Sequence, residues 1–275
     1  MKSTGYQVKV CIVGCGAIGS RMAKAITKDL KKDCRVSGLF DIDLKKAERL
    51  AKELRLTGIT GSSLNSLIKK SDCVVEATNA PDIRSIVVES LKAKKSILVM
   101  SVGKLLNQKG LFELAQKNQC YILLPSGAIA GLDAIKAASL SKINQITLTT
   151  RKPPQGFVMN AYFQKNNIDL SKIKKETTLF KGRVDEAVKH FPQNINVAAT
   201  LALASQQKDK VTVRIMTSPE YTTNSHEVEV IGDFGKIYSK TDNVPCPDNP
   251  KTSYLAVLSG LQTLKQYCTG ILIGT

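Results

Sequence analysis

An apolar run at residues 8–13 (Val-Lys-Val-Cys-Ile-Val) breaks on Gly14-Cys15-Gly16-Ala17-Ile18-Gly19 and continues as a helix-like stretch from 18 to about 30. A strand that turns on glycine straight into a helix has few folds open to it. The strand must lie in a sheet and the helix must fold back over it, opening a parallel crossover unit. The three glycines act differently. Gly14 permits the tight turn, Gly16 lets the backbone approach a pyrophosphate, and Gly19 lets helix and strand pack closely. The helix start, at Ala17 and Ile18, turns N–H groups and a positive dipole end toward an anion. Asp41 follows Gly19 by about twenty positions, where a carboxylate accepts hydrogen bonds from an adenosine ribose and repels a 2′-phosphate. The spacing therefore points to NAD, with NADP left open, and an ordinary glycine-rich turn beside an exposed Asp is the competing explanation. No Lys-Ser/Thr follows the glycines, so a nucleoside-triphosphate P-loop has no support.

Beyond that turn the alternation continues. Strand-like runs at 35–40, 73–77, 96–100 and 121–124 are separated by helix-like stretches at 43–54, 64–70, 82–92 and 108–118. In 43–54 the apolar residues Leu44, Ala47, Leu50, Ala51 and Leu54 keep helical spacing, and Asp43 stands where a cap belongs. Apolar, poorly alternating strands suit a parallel sheet covered on both faces. Thr78-Asn79-Ala80-Pro81 and Ser101-Val102-Gly103 follow strands at their C-terminal ends, where a nicotinamide would run. Thr78 is the candidate contact there, and a plain turn has the same composition.

Near Pro125-Ser126-Gly127 the pattern changes. Strands are expected at 144–151 and 211–216, a hairpin at 227–239 around Gly232-Asp233-Phe234-Gly235, and helices at 184–190 and 197–205. A breaker, Pro245-Cys246-Pro247-Asp248-Asn249-Pro250, precedes an amphipathic tail at 252–268. The fold class is α/β: a Rossmann-type parallel sheet domain over 1–125 and a second α+β domain, with an antiparallel or mixed sheet, over 126–245. A C-terminal helix within 246–275 has spacing suited to packing back on the first domain.

Composition narrows the class. Hydrophobic residues at 43% argue against wholesale disorder, and the 7 cysteines are scattered with no Cys-x-x-Cys pair, which suits buried thiols better than a disulfide framework or a zinc site. No run nears the roughly 20 apolar residues of a membrane span, and the N-terminus lacks a signal peptide's apolar core. A cytoplasmic protein without a membrane partner is the expectation. The net charge of +17 would suit nucleic acid, but the lysines come in ones and twos and aromatics are only 5%, with no Trp. A nucleic-acid partner is therefore disfavoured, while anionic small molecules would be drawn in.

Only two histidines exist. His190 ends a helix, where imidazole commonly serves the dipole or points at solvent. His226 lies among small polar residues at a strand start. Imidazole suits proton transfer near neutral pH, as an oxidoreductase working on an amine or alcohol carbon needs, whereas composition alone favours a surface role.

The chain resembles the L-aspartate dehydrogenase family over nearly its whole length. The resemblance rests on Val13-Gly14-Cys15-Gly16-Ala17-Ile18-Gly19, Glu76-Ala77-Thr78, Met100-Ser101-Val102-Gly103, Pro125-Ser126-Gly127-Ala128-Ile129-Ala130-Gly131-Leu132-Asp133-Ala134 and Arg151-Lys152-Pro153-Pro154. It continues through Phe191-Pro192-Gln193-Asn194-Ile195-Asn196-Val197-Ala198-Ala199 and Asn224-Ser225-His226-Glu227. It implies a second domain serving catalysis and dimerisation, a homodimer, and NAD(P)-dependent oxidative deamination of L-aspartate through iminoaspartate to oxaloacetate and ammonia. It also implies a route for the imino product into quinolinate and NAD synthesis. By motif position His226 would be catalytic, and Ala130 and Asn196 would touch the cofactor. Asn196 could hold the nicotinamide carboxamide or ribose, cap the helix at 197–205, or do both. No metal is implied. Lys104 departs from the family, which commonly carries a small residue after Ser-Val-Gly. The substrate is expected between the domains, its α-hydrogen aimed at the nicotinamide.

Two rivals stay open. One is a related two-domain reductase of dihydrodipicolinate reductase or homoserine dehydrogenase type. The other is a non-catalytic NAD-sensing or nucleic-acid-binding protein, which would show salt-sensitive binding and no nicotinamide reduction.

Overall fold

In a computed structural model, residues 6–157, 160–191, 195–247 and 249–274 are described. The chain divides into two compact units, one of residues 1–125 with 257–272, the other of 126–256 with 273–275. The first unit runs β1 (Val8–Val13), α1 (Ala17–Lys28), β2 (Cys34–Phe40), α2 (Leu44–Glu53), α3 (Leu64–Lys69), β3 (Cys73–Glu76), α4 (Arg84–Lys92), β4 (Ser96–Val99), α5 (Leu111–Lys117) and β5 (Ile122–Leu123). Its strands are all parallel, in the order β2-β1-β3-β4-β5. Every residue of β3 and β4 is buried, as a sheet covered on both faces requires.

One strand of the usual dinucleotide-binding order has shrunk. Thr60 makes a single parallel bridge to Leu39, and Leu39 N–H donates to the Ile59 carbonyl at 2.7 Å. With that vestige beside β2, the arrangement matches the usual order, in which the chain reverses direction across the sheet between β1 and β3. The crevice at their C-terminal ends is where a ligand belongs.

Local chemistry moves several helix starts. Asp43 occupies the N-cap of α2 without a side-chain bond, contrary to expectation, because its own carbonyl takes the Lys46 N–H at 2.9 Å. The Asp82 carboxylate takes the Arg84 N–H at 2.8 Å, so α4 starts at Arg84 rather than 82. Gly110, left-handed at φ 77°, holds back the start of α5 to Leu111.

The second unit runs α6 (Leu132–Ala138), β6 (Ile143–Lys152), α7 (Ala161–Lys165), β7 (Thr177–Arg183), α8 (Val184–His190), α9 (Asn196–Ser205), β8 (Val211–Thr217), β9 (Asn224–Gly232), β10 (Gly235–Asn243), β11 (Pro245–Cys246) and β12 (Asn249–Ser253). Its main sheet is mixed, in the order β10-β9-β6-β8-β7, with β6 and β8 parallel and the other pairs antiparallel. Before the last helix, in the stretch expected as a breaker, a small ladder pairs Pro245 with Ser253 and Cys246 with Asn249. Helix α9 is buried nearly all round and contacts α6, α8 and β8. The half-buried His190 ring lies tilted against Tyr162 at 4.8 Å and Phe180 at 6.2 Å, at the edge of an aromatic cluster.

The last helix, α10 (Tyr254–Thr269), belongs to the first unit from Val257 onward. A Cβ on its Gly260 would lie 2.7 Å from Met100 Sδ, so the helix lies tight against the end of β4. Among the described residues no helix is long and apolar enough to cross a membrane.

Candidate active site

The glycine turn is built from backbone. Gly14 has φ +96°, and a Cβ there would sit 2.5 Å from the Ala77 carbonyl oxygen, so the ends of β1 and β3 touch at this point. A Cβ on Gly19 would lie 1.8 Å from the Gly14 carbonyl oxygen. Gly16 differs: nothing lies within 4 Å of where its Cβ would be. It caps α1 with no side-chain bond and no acidic residue in the first turn. Ser20 N–H is the first to close back, onto Gly16 O at 2.8 Å, which leaves the N–H groups of Ala17, Ile18 and Gly19 without intrahelical acceptors. Together they form a cradle that a side chain would fill and that suits a phosphate.

Asp41 borders this cradle at the end of β2. Its Oδ2 accepts the Cys15 N–H at 2.8 Å and its Oδ1 the Asp43 N–H at 2.9 Å. Each oxygen keeps a second lone pair for a ribose hydroxyl. Burial, with Asp41 nearby, pushes the Cys15 thiol up to about 12, so this cysteine stays a thiol.

Glu76, which ends β3, is a buried residue to which sequence reasoning gave no role. It is fully buried, and its Oε1 accepts the N–H and hydroxyl of Thr78 at 2.8 and 2.7 Å while Oε2 accepts the Ser101 N–H at 3.1 Å. One carboxylate thus joins the two loops expected near a nicotinamide, and Thr78 points its hydroxyl into that joint. Lys104 ties the same loops again by donating to the Ala80 carbonyl, and burial lowers its pKa. A Glu closing an otherwise apolar strand was the available signal.

In the second unit His226 sits on β9 opposite Thr150 of β6 and Thr241 of β10. It is buried, and its Nδ1 lies 2.9 Å from Thr150 Oγ1. A hydroxyl can donate or accept, so Thr150 orients the ring in either tautomer. Burial first, and the charge of Lys152 second, lower the His226 pKa to about 3. Lys152, two residues beyond Thr150, shares its face of the sheet. Burial lowers its pKa to about 8. Arg151 faces the other way, where Nη1 pairs with Glu227 at 2.7 Å.

The loop bearing Ala130 is pinned beside β10, with Ser239 Oγ donating to Ala130 O at 2.9 Å and Thr241 Oγ1 to Ala128 O at 2.6 Å. A Cβ on Gly127 would meet Val197 Cγ1 at 3.4 Å, so the same loop lies against the start of α9. Ala130 and Asn196 are both exposed. Asn196 is the first residue of α9 and not its cap: Ile195 holds that place, its carbonyl taking the Ala199 N–H at 2.9 Å. Pro192, Gln193 and Asn194 of the same motif lie outside the described residues. The candidates thus form two groups, Gly14, Gly16, Ala17, Ile18, Gly19, Asp41 and Thr78 in one unit, and Ala130, Asn196 and His226 in the other.

Both units match known proteins. Residues 133–267 match the family described as aspartate dehydrogenase, C-terminal, and residues 14–125 the NAD binding domain of homoserine dehydrogenase. An L-aspartate dehydrogenase of Methanosarcina mazei is 42% identical over 271 residues, spanning 98% of this chain and 100% of the relative. One from Methanococcus maripaludis is 41% identical over 276 residues, spanning 98% and 100%. The crystal structure of aspartate dehydrogenase from Thermotoga maritima shares the fold at a TM-score of 0.73 and 23% identity, covering 98% of this chain and 100% of that one. On identity across nearly its whole length, the chain belongs to the L-aspartate dehydrogenase family.

Proposed function

We propose that this protein catalyses the NAD(P)-dependent oxidative deamination of L-aspartate through iminoaspartate to oxaloacetate and ammonia, with the imino product also open to NAD synthesis. The observation that carries the cofactor half is the open cradle at Gly16, where a Cβ would meet nothing within 4 Å, bordered by the Asp41 carboxylate. Family membership carries the substrate half. Residues 1–125 hold most of the dinucleotide, the α1 N–H groups its phosphates, Asp41 its adenosine ribose and Thr78 its nicotinamide half, and Ala130 and Asn196 of residues 126–245 add contacts to the cofactor. Residues 126–245 supply catalysis and the surface for a homodimer, and residues 246–275 add the terminal helix. The setting is the cytoplasm.

Bound dinucleotide supplies the acceptor for the α-hydrogen and its electron pair. The protein's part is the proton. His226, unprotonated and held by Thr150, takes a proton from the substrate ammonium, which frees the nitrogen lone pair for the C=N bond. Water then adds to that carbon and ammonia leaves. Asp41 favours NAD, since a 2′-phosphate would meet a carboxylate.

The test is reduced-nicotinamide absorbance with L-aspartate and either cofactor. Reduction with L-aspartate, faster with NAD and absent with homoserine, is expected. Turnover of homoserine instead would move the chain to the related reductases. Salt-sensitive RNA binding with no reduction by any amino acid would make it a binding protein.

A further inference from the structure

The four hydrogen-bond donors around the Glu76 carboxylate come from the loops that follow β3 and β4. Oε1 takes the Thr78 N–H at 2.8 Å and the Thr78 hydroxyl at 2.7 Å, and Oε2 takes the Ser101 N–H at 3.1 Å. The Ser101 hydroxyl has one proton for two acceptors, Glu76 Oε1 at 3.1 Å and the Thr78 carbonyl at 2.9 Å. Each carboxylate oxygen therefore receives a backbone N–H, and burial shuts out the bulk water that could take its place.

Thr78 is fixed on its other branch as well. A Cβ on Gly14 would lie 3.0 Å from Thr78 Cγ2, so the methyl group lies against the glycine turn while the hydroxyl meets Glu76. A hydroxyl has one proton and two lone pairs. With the proton given to a carboxylate, Thr78 Oγ1 has only lone pairs left to offer a ligand. Among the described residues nothing donates to that oxygen, and Thr78 keeps part of its surface exposed. We infer that Glu76 is a positioning residue for the cofactor: by holding the Thr78 hydroxyl proton it makes that oxygen an acceptor alone, set to take an N–H or O–H donor from the nicotinamide half. The inference rests on the dinucleotide reading above and deepens it, because it states which polarity the nicotinamide half must present. A carboxamide N–H in that place turns its carbonyl oxygen away and fixes which way round the amide sits.

Calorimetric titration of the full-length protein with NAD, with ADP and with the acetylpyridine analogue of NAD tests this. ADP ends before the nicotinamide half, and the analogue carries a methyl ketone where NAD has the carboxamide, so it lacks the N–H. Thr78→Val, close in shape but without the hydroxyl, should weaken NAD roughly three- to tenfold, the scale of one hydrogen bond, and leave ADP close to wild type. Glu76→Gln should do the same although it is isosteric, because either placement of its NH2 sets it against the N–H of Thr78 or of Ser101. In the double variant the two losses should not add, since one residue acts through the other. Wild-type protein that binds the analogue as weakly as Thr78→Val binds NAD assigns the donor to the carboxamide. An analogue bound as tightly as NAD, with the Thr78→Val loss intact, assigns it to a ribose hydroxyl. A wild-type ratio of NAD to ADP affinity in Thr78→Val, equal losses of NAD and ADP in Glu76→Gln, or fully additive losses in the double variant would overturn the proposal. One reading needs no change at Glu76: in unliganded wild type the Thr78 hydroxyl proton should give a slowly exchanging NMR signal that Thr78→Val lacks. Its absence would overturn the proposal even if Glu76→Gln does not fold. No titration contains an amino acid, so the outcome does not depend on aspartate turnover. A protein that binds neither NAD nor ADP would overturn the dinucleotide reading and this inference together.

Discussion

In the first unit the groups offered to a ligand are backbone N–H groups at the start of α1, placed by residues that lie side by side in the chain. In the second they are side chains, and His226 meets Thr150 across 76 positions only because β6 and β9 pair in one register. Backbone recognition of this kind needs absent side chains and tolerates change around it. Side-chain recognition needs particular atoms, and a one-residue slip in register would turn His226 to the opposite face. The first arrangement can hold many dinucleotide-dependent chemistries, whereas the second fixes which one runs.

The sharpest way to break this contrast is to remove the side chain and keep the backbone. His226→Gln should lower kcat by roughly 10²–10⁴-fold, the usual contribution of a general base. The Kd for NAD, read by fluorescence titration, should stay close to wild type. A variant with normal turnover would show that the proton leaves by another route. Loss of NAD binding would show that the two sites are not separable as described.

Within the glycine turn the contrast can be sharpened residue by residue. Gly14→Ala forces a side chain into φ +96° and to 2.5 Å from the Ala77 carbonyl oxygen. It should cost about 1–3 kcal/mol of stability in chemical denaturation. Gly16→Ala meets nothing within 4 Å and should cost less than about 1 kcal/mol, while weakening NAD roughly tenfold. Equal losses of stability in the two variants would mean that Gly16 is structural and not a ligand cradle.

The same difference in materials explains what is legible in the sequence. The Gly14–Gly19 spacing is local, so its strand, turn and helix can be read directly, as can the parallel order that follows from alternation. The vestigial strand beside β2 cannot, because one bridge at Thr60 leaves no periodic trace. Strand β7 escapes because Thr-Thr-Leu-Phe-Lys-Gly-Arg buries only Leu179 and Phe180 on a sheet edge. His226 comes into view through resemblance to Asn-Ser-His-Glu, but Thr150 and Lys152 become its neighbours only once the register is known. Glu76 passes as the end of an apolar strand, its role visible only in the two loops it ties. Asn196 has the chemistry of a cap, since amides favour that place, yet the first turn closes on Ile195.

A further effect concerns stability, and it separates the units by pH. The folded His226 binds its proton with a pKa of about 3 against 6.5 for the free side chain. Between those values the unfolded chain holds more protons than the folded one, so stability rises with pH across the window and is lost as pH falls from 6.5 toward 3. The slope is about 1.4 kcal/mol for each pH unit once the unfolded histidine is fully protonated. No histidine lies in residues 1–125, so the first unit has no counterpart to this step. His226→Gln should therefore flatten the fall in urea midpoint between pH 6.5 and 5, while the Gly16→Ala profile keeps the wild-type shape. If His226→Gln and wild type lost stability in parallel across that window, the ring would already be solvated in the folded protein. The side-chain site would then be more open than its buried contact with Thr150 indicates.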